Sequence, residues 1–429
     1  MLLQFDIENN RSIKNKKRLS FIADNKPEHK ESLIKYDKHN ILPVIGIYGK
    51  NAAGKTNILK SFKHIRDMIR FSHEFNPVMP IPFYEPFKFT NDIDLPSSFE
   101  VSFICKDKKY NYGFSHNSLE ILEEYLYVFN SAKPTKIFER SFNNNNDNFS
   151  FGNNYENMEY LTERTHKNKL FLSVAAQWAA KIEEINDIFN YFENSILYYQ
   201  KNWNEPSSEF FEKTTQLLIE NEEARDFIKN LIKHLDLEFE NIKANRQTVD
   251  IEKLPEEIQL LIKNLNSNKE NEKSELTASQ ISSLYNINEK EYSLNLKDES
   301  NGIQKLYDLF SVLFESFTKQ KIVIIDEIEM GLHPILAKEL VRLFQNPKIN
   351  RFHSQLLFTT HDTNILNTSL LRRDQFWFVS KDIKDNYATD LYSLSDINGV
   401  RINDNIARNY LLGKYSTIPE IYFGDNEDD

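Results

Sequence analysis

Eight residues near the start of the chain, GKNAAGKT at 49–56, have the types and spacing to hold a polyphosphate. Gly49 and Gly54 let the backbone wrap an anion, so that the N–H groups of Lys50, Asn51, Ala52 and Ala53 can turn inward. Lys55 carries an ammonium long enough to reach β- and γ-phosphates, and the Thr56 hydroxyl is a hard oxygen donor suited to Mg²⁺. This chemistry needs a strand that delivers the chain to Gly49 and a helix that leaves at Lys55, because the helix N-terminus adds unpaired donors and a positive end. The sequence carries both. VIGIY (44–48) is an apolar run, and Ile58, Leu59, Phe62, Ile65 and Ile69 recur with helical spacing after Thr56. The complete pattern predicts binding of a nucleoside triphosphate, against the plainer reading of a glycine turn before an ordinary helix.

Three further groups of residues bear on the same chemistry. KIVIIDE (321–327) is an apolar strand ending in Asp326 and Glu327. Ligands of parallel sheets bind beyond the strand carboxyl ends, where an Asp can hold Mg²⁺ and a Glu can polarise an attacking water. SQLLFTTHD (354–362) places His361 at the end of another such strand, where a neutral imidazole can bond a phosphate. In LKDESNGIQKL (296–306), Ser300, Gly302 and Gln304 stand just before or within a helix start. Ser300 can cap that helix and Gly302 can let a phosphate approach. Taken singly, each of these is also an ordinary strand end or helix cap.

Composition bounds the remaining classes. A chain of 429 residues, 40% hydrophobic and 27% charged, suits two or three domains or one domain with large insertions. Cys105 is the only cysteine, which rules out an internal disulfide and fits a reducing cytoplasm. No apolar stretch reaches the ~18–20 residues of a membrane span, and MLLQFDIENN lacks the basic-then-apolar order of a secretory leader. A cytoplasmic protein without membrane contact is expected. The net charge of −11 disfavours broad nucleic-acid binding, since phosphate contacts need clustered Lys and Arg. Lys14, Lys16, Lys17, Arg18, Arg372 and Arg373 form local basic groups; solvated faces or local ion pairs are the expected reading, with limited nucleic-acid contact left open.

The elements that must position these residues fall into three stretches. Residues 1–167 read as short β runs around the phosphate loop, with SSFEVSFI and KKYNYGFS forming a hairpin or meander and the asparagine-rich FNNNNDNFSFGNN (142–154) an exposed loop. Residues 168–290 read as mainly helical, with a stripe through Leu217, Ala224, Ile228, Leu231 and Leu235, and a further helix opening at Pro255. NSNKENEKSE (266–275) reads as a polar, charged segment. No sustained heptads leave this region as a long coiled coil. Residues 291–429 return to β/α alternation and pair with the first stretch as the second half of one nucleotide-binding domain.

This order of motifs resembles the ABC-type ATPases of the SMC/RecF/OLD branch. The resemblance implies an α/β P-loop NTPase of ABC-ATPase type with an N-terminal antiparallel β lobe and a helical insertion, using ATP and Mg²⁺. By position it makes Gly49 to Thr56 the Walker A loop, with Thr56 and Asp326 at the metal. Asp326 and Glu327 become Walker B, Ser300, Gly302 and Gln304 the signature, GLHP (331–334) the D-loop and His361 the switch histidine. NNRSI (9–13) carries Asn10 where an aromatic is usual, the signature is degenerate against the transporter form, and no Q-loop glutamine is placed. FLSVAAQW (171–178), DEIEMGLHP, FTTHDTNIL, LRRDQFWFV and ARNYLLGKYSTIPEI are similar to bacterial AAA-family ATPases of the RloA / AbiLi antiphage type, and more loosely to PtuA of Septu and AriA of PARIS.

That narrower resemblance implies an ATPase subunit of an antiphage or abortive-infection system. It implies a nuclease-like effector supplied in trans and a trigger that can be phage-derived. The ABC-type signature, which closes over nucleotide held by another subunit, implies at least a homodimer, and the helical middle, as what the chain adds to a minimal ATPase sheet, is the expected docking surface. The alternative is a RecF- or SMC-like DNA-repair ATPase acting directly on DNA. A transporter subunit fits least, for lack of a fuller signature. Arg66 and His73 have the R-x₆-H spacing of some small RNases but are expected on the helix beside the nucleotide. The stretch after His361 is too short for an appended Toprim domain. No nuclease activity of the chain's own is expected.

Overall fold

The computed structural model describes residues 1–91, 94–131, 133–143, 146–178, 182–201, 208–249, 259 and 276–415. Strands β1 (Leu2–Glu8) and β2 (Lys17–Ser20) open the chain, followed by the short pair β3 (Ile34–Tyr36) and β4 (His39–Ile41). Strand β5 (Val44–Tyr48) leads into helix α1 (Lys55–Phe71). Next come β6 (Ser97–Cys105), β7 (Lys108–His116), β8 (Ile121–Phe129), β9 (Thr135–Asn143) and β10 (Asn146–Phe151). Helices α2 (Phe171–Trp178) and α3 (Glu183–Asn194) precede β11 (Ile196–Tyr199). Then follow α4 (Glu209–Glu220), α5 (Glu222–His234), β12 (Asn241–Val249), β13 (Leu276–Ile287), β14 (Lys290–Asn295) and α6 (Asn301–Thr318). The last stretch is β15 (Ile322–Ile325), α7 (Pro334–Gln345), β16 (Gln355–Thr359), β17 (Phe376–Asp382), β18 (Ala388–Ser393) and α8 (Ile406–Leu411).

Two compact units result. The first is Met1–Gln200, Glu315–Met330 and Ala337–Asp429; the second is Lys201–Phe314 and Gly331–Leu336. The first holds a six-stranded sheet in the order β11-β15-β16-β5-β17-β18, parallel except for β18. Strands β5, β15 and β16 are buried along their whole length, as a parallel sheet covered on both faces requires. Apolar runs without alternation are therefore what this sheet selects. The same unit holds an antiparallel lobe in the order β10-β9-β8-β7-β6-β1-β2. Here the strands alternate: Phe99, Val101 and Phe103 are buried while Ser98, Glu100 and Ser102 are half-buried. The fold is the expected α/β P-loop NTPase with an antiparallel β lobe.

The FLSVAAQW helix owes its start to a distant acid. Glu124 on β8 is fully buried and accepts the backbone N–H of Phe171 at 2.5 Å and of Leu172 at 2.9 Å, with the Tyr112 hydroxyl donating at 3.0 Å. A carboxylate at a helix N-terminus meets donors that the helix itself cannot satisfy. Phe149 and Phe151 pack on Phe171, with ring centroids 5.4 and 5.5 Å away. That contact corrects the reading of 142–154 as a loop. Asparagine favours turns, but alternate phenylalanines give one face of β10 a core to join, and β9 and β10 pair as a hairpin.

The second unit is not purely helical. Helices α4 and α5, capped by Ser208 and Asn221, accompany a three-stranded antiparallel sheet in the order β12-β13-β14. The first part of α6 is tied into it through the Tyr307 hydroxyl, 2.8 Å from Thr215 Oγ1, and through Asp308, which accepts from Lys201 at 2.7 Å. The expected boundary at 168 therefore differs from the observed one at 201. The helices α2 and α3 lead back into β11 at the edge of the parallel sheet rather than into an insertion. The expected helix after Pro255 and the segment 266–275 lie outside the described residues.

The basic groups are neutralised locally. Lys14 pairs with Asp385, Lys16 and Arg18 with Asp6, Lys17 with Asp390, Arg372 with Asp374 and Arg373 with Glu28. Arg372 is wholly buried and also donates to the carbonyls of Asp24, Lys26 and Glu28, which makes it a strut of the fold.

Candidate nucleotide site

The phosphate loop leaves β5 at Tyr48 and ends where α1 begins. Ala52 and Gly54 take positive φ values of 61° and 115°, the turn that lets successive N–H groups face one concavity. Gly54 is required twice over. A Cβ there would sit 2.5 Å from Thr389 Oγ1 and 2.8 Å from Ser12 Oγ, besides needing the left-handed backbone. These hydroxyls support the loop from outside: Thr389 Oγ1 lies 3.0 Å from the Ala53 carbonyl, and Asn57 Nδ2 donates to Ser12 Oγ at 2.7 Å. Asn10 accepts the Ser61 hydroxyl of α1 at 2.6 Å, and Arg11 is ion-paired with Glu85. The NNRSI segment thus braces the loop and its helix.

Lys55 Nζ donates to the Gly49 carbonyl at 2.9 Å, to the Lys50 carbonyl at 3.3 Å and to His361 Nε2 at 2.8 Å. The imidazole must accept, so its proton sits on Nδ1. Burial, then the charge of Lys55, hold His361 below the ordinary imidazole range, while Glu329, Glu327 and Asp326 oppose that shift. Burial likewise lowers Lys55, against the same three acids. Neutral histidine and partly desolvated lysine share one hydrogen bond where a γ-phosphate would compete for both.

Three side chains converge on the Asp326 carboxylate. The Thr56 hydroxyl donates to it at 3.0 Å, the Thr359 hydroxyl at 2.6 Å and Gln200 Nε2 at 3.2 Å. The Thr56 hydroxyl and the Asp326 carboxylate are hard oxygen donors, and the Gln200 side chain adds a carbonyl. That set suits Mg²⁺, which takes one or two protein oxygens and completes its shell with phosphate and water. Among the described residues no group of three or more His, Cys, Asp or Glu could hold a metal by itself. Glu327 is half-buried, has φ of 51°, and donates its N–H to Thr359 Oγ1 at 2.8 Å. A left-handed glutamate is an uncommon conformation of the kind concentrated at functional sites.

Lys55, Thr56, Asp326, Glu327 and His361 thus meet in one unit. Ser300, Gly302 and Gln304 belong to the other. Ser300 caps α6 weakly, accepting from the Ile303 N–H at 3.4 Å, and Gln304 donates to the Glu299 carbonyl at 3.0 Å. A Cβ on Gly302 would lie 2.7 Å from the Gly331 carbonyl, so the expected signature and D-loop pack directly on each other. His73 lies in a 3-10 turn (Ser72–Glu74) just past α1 rather than on the helix, with its ring 3.1 Å from the Ser173 hydroxyl, and Arg66 is bound to Asp67. Gln200, Thr359 and Ser12 were not legible as site residues. Gln200 follows ILYY (196–199), a strand only four residues long between helices, and that run is the signal that could have found it.

A cavity of about 290 Å³ opens beside the loop, lined by Arg11, Ser12, Asn57, Phe87, Lys381 and Tyr387 among others. That is near the lower end of the roughly 300–1,000 Å³ typical of ligand pockets. The aromatic faces of Phe87, Phe89 and Tyr387 suit stacking of a base.

The family described as "AAA domain, putative AbiEii toxin, Type IV TA system" matches residues 44–367. The chain belongs to this family. The match runs from β5 past His361, so Lys55, Asp326 and His361 all lie within its AAA domain. A solved structure titled "Crystal structure of the SmcHead bound to the C-winged helix domain of ScpA" is similar at 12% identity, covering 91% of this chain and 97% of that one, with a TM-score of 0.42. No curated protein matches the sequence. Among the described residues no helix is long and apolar enough to cross a membrane.

Proposed function

We propose that this AAA-domain chain binds ATP with Mg²⁺ and hydrolyses it, as the ATPase subunit of a bacterial antiphage or abortive-infection system of the RloA / AbiLi type. The observation that carries the ATPase reading is the bonded set Lys55–His361 and Thr56–Asp326 at the mouth of one phosphate loop. Lys55 exchanges two carbonyls and an imidazole for phosphate oxygens. His361, released from Lys55, faces the γ-phosphate. Glu327 orients and polarises the attacking water, because phosphoryl transfer is catalysed by positioning and charge stabilisation. Thr56 and Asp326 would hold Mg²⁺, which would supply charge neutralisation at the phosphates. The cavity at Arg11 and Tyr387 takes the nucleoside.

A signature motif in ABC-type ATPases closes over nucleotide held by another subunit, so the working form is at least a homodimer. Ser300 and Gly302 of one copy complete the site at Lys55 of the next. Mixing Lys55→Ala with Ser300→Arg protein leaves one intact composite site per mixed dimer. Hydrolysis recovered in the mixture, and absent from each variant alone, is expected; a fully active monomer contradicts the dimer.

The output is exerted through a nuclease-like effector in trans, docked on residues within 168–290. The family description, with its toxin–antitoxin association, supports the defence-system part of this reading. The ion-paired state of Lys14 to Arg18 and of Arg372 and Arg373 weighs against the alternative of a DNA-repair ATPase gripping DNA directly. Purified chain with ATP and Mg²⁺ should leave DNA, total RNA and tRNA intact. Co-expression with the neighbouring gene during phage infection should arrest growth only when Lys55 is present. Cleavage by the isolated chain that survives Lys55→Ala would return attention to Arg66 and His73.

A further inference from the structure

Two residues past Glu327, the Glu329 carboxylate accepts the backbone N–H of His361 at 2.6 Å. Its other oxygen is buried and has no hydrogen-bond partner among the described residues. The nucleotide chemistry above uses Asp326 for metal and Glu327 for water, and leaves this third acid without a task. Its surroundings suggest one. The turn after β15 is fastened to β16 by Ile328 N–H donating to the Thr359 carbonyl at 3.0 Å, and it closes with Met330 N–H to the Glu327 carbonyl at 2.9 Å. The segment carrying His361 is held to β5 at Thr360, whose N–H donates to the Ile47 carbonyl at 3.1 Å. Between those two anchors, the main chain at His361 itself is fixed by Glu329.

The His361 ring is bonded to Lys55, the group a nucleotide phosphate must claim. Once Lys55 turns to phosphate, the ring loses that side-chain anchor, and the protein holds it through its backbone. We infer that Glu329 is a positioning residue for hydrolysis: it clamps the His361 main chain to the turn that carries Asp326 and Glu327, so that histidine and water-activating acid stay in register. This rests on the ATPase reading. A buried oxygen without a partner costs stability, and such a cost is retained where it serves a site. Removal of the side chain should therefore harm turnover without harming the fold.

The test compares Glu329→Ala, Glu329→Gln, His361→Ala and the double variant Glu329→Ala/His361→Ala in the full-length chain. Steady-state ATP hydrolysis, affinity for a fluorescent ATP analogue and thermal melting are the readouts. A hydrogen bond to a charged acceptor corresponds to about a tenfold to hundredfold effect. Glu329→Ala should lower kcat by that amount, shift KM and affinity by less than about threefold, and melt no lower than wild type. Glu329→Gln, which keeps a carbonyl acceptor at the same reach, should recover most of kcat. The double variant should be no slower than His361→Ala, since the two act as one. Additive losses, parallel loss of affinity and melting temperature, or a Gln variant as slow as Ala would each overturn the inference. A wild-type chain that turns over no ATP removes the ATPase reading and this inference together; an active chain indifferent to Glu329→Ala removes the inference alone.

Discussion

His361 and the pair His64–His116 sit in different parts of one unit and in different company. His361 stands at the ends of the parallel strands, exposed on one side and bonded to a lysine. His64, on α1, and His116, at the end of β7, are buried in the antiparallel lobe and bond each other, Nε2 to Nε2 at 2.9 Å. His116 Nδ1 donates to the Asn117 carbonyl at 2.9 Å, so His64 must donate and His116 accept in the shared bond. Phe99 stacks on His64 with centroids 4.6 Å apart. Burial is the first cause of the lowered imidazole pKa in all three. Exposure and partner differ. A ring at a strand end bonded to the Lys55 ammonium can change partners when an anion arrives, whereas a ring sealed against another ring and a phenylalanine cannot. A lowered imidazole pKa therefore does not separate these histidines; the exchangeability of the hydrogen bond does.

The largest effects should separate these regions. Lys55→Ala should abolish nucleotide binding, by a factor beyond about 100, while melting within a few degrees of wild type. His116→Ala should do the reverse, costing about 2–4 kcal/mol through a cavity and an orphaned His64 donor. The protein that remains folded should bind nucleotide normally. Binding titrations and melting curves on both variants check this, and a His116→Ala chain that is stable but inactive would break the comparison.

Acid should act on the lobe gradually. His116 is held down to about 4 and His64 well below its ordinary value, by burial first and then by neighbouring charge for His64. Both are therefore neutral in the fold and protonated in the unfolded chain below about pH 6.5. The unfolded state binds more protons in that window, so stability is full above it and is lost as pH falls toward 4. The slope is at most about 1.4 kcal/mol per pH unit for each imidazole. Denaturant midpoints measured between pH 7.5 and 4.5 should fall accordingly, and His64→Phe/His116→Phe should flatten the dependence.

Much of the site could be read in advance because its motifs are local. GKNAAGKT spans eight residues, and Asp326, Glu327 and His361 each close an apolar run that only a buried parallel strand would have. Gln200 is marked only weakly, by the apolar run ILYY, because a strand of four residues among helices carries little periodicity. Glu329 looks like any acid in a turn, since its bond to the His361 main chain joins segments 32 residues apart. The His64–His116 bond spans 52 residues and leaves no trace in either local pattern. The pairing of β10 with β9 is concealed by composition: Phe149 and Phe151 outweigh the turn preference of the five asparagines in 142–151 only once Phe171 is there to pack on.

Glu327→Gln tests the central claim most directly. The amide keeps the size and place of the side chain and removes the charge that would polarise water. Equilibrium binding and single-turnover hydrolysis of ATP in Mg²⁺ should show affinity close to wild type and a hydrolysis rate reduced by about 10²–10⁴. Hydrolysis at the wild-type rate would contradict the assignment of this site.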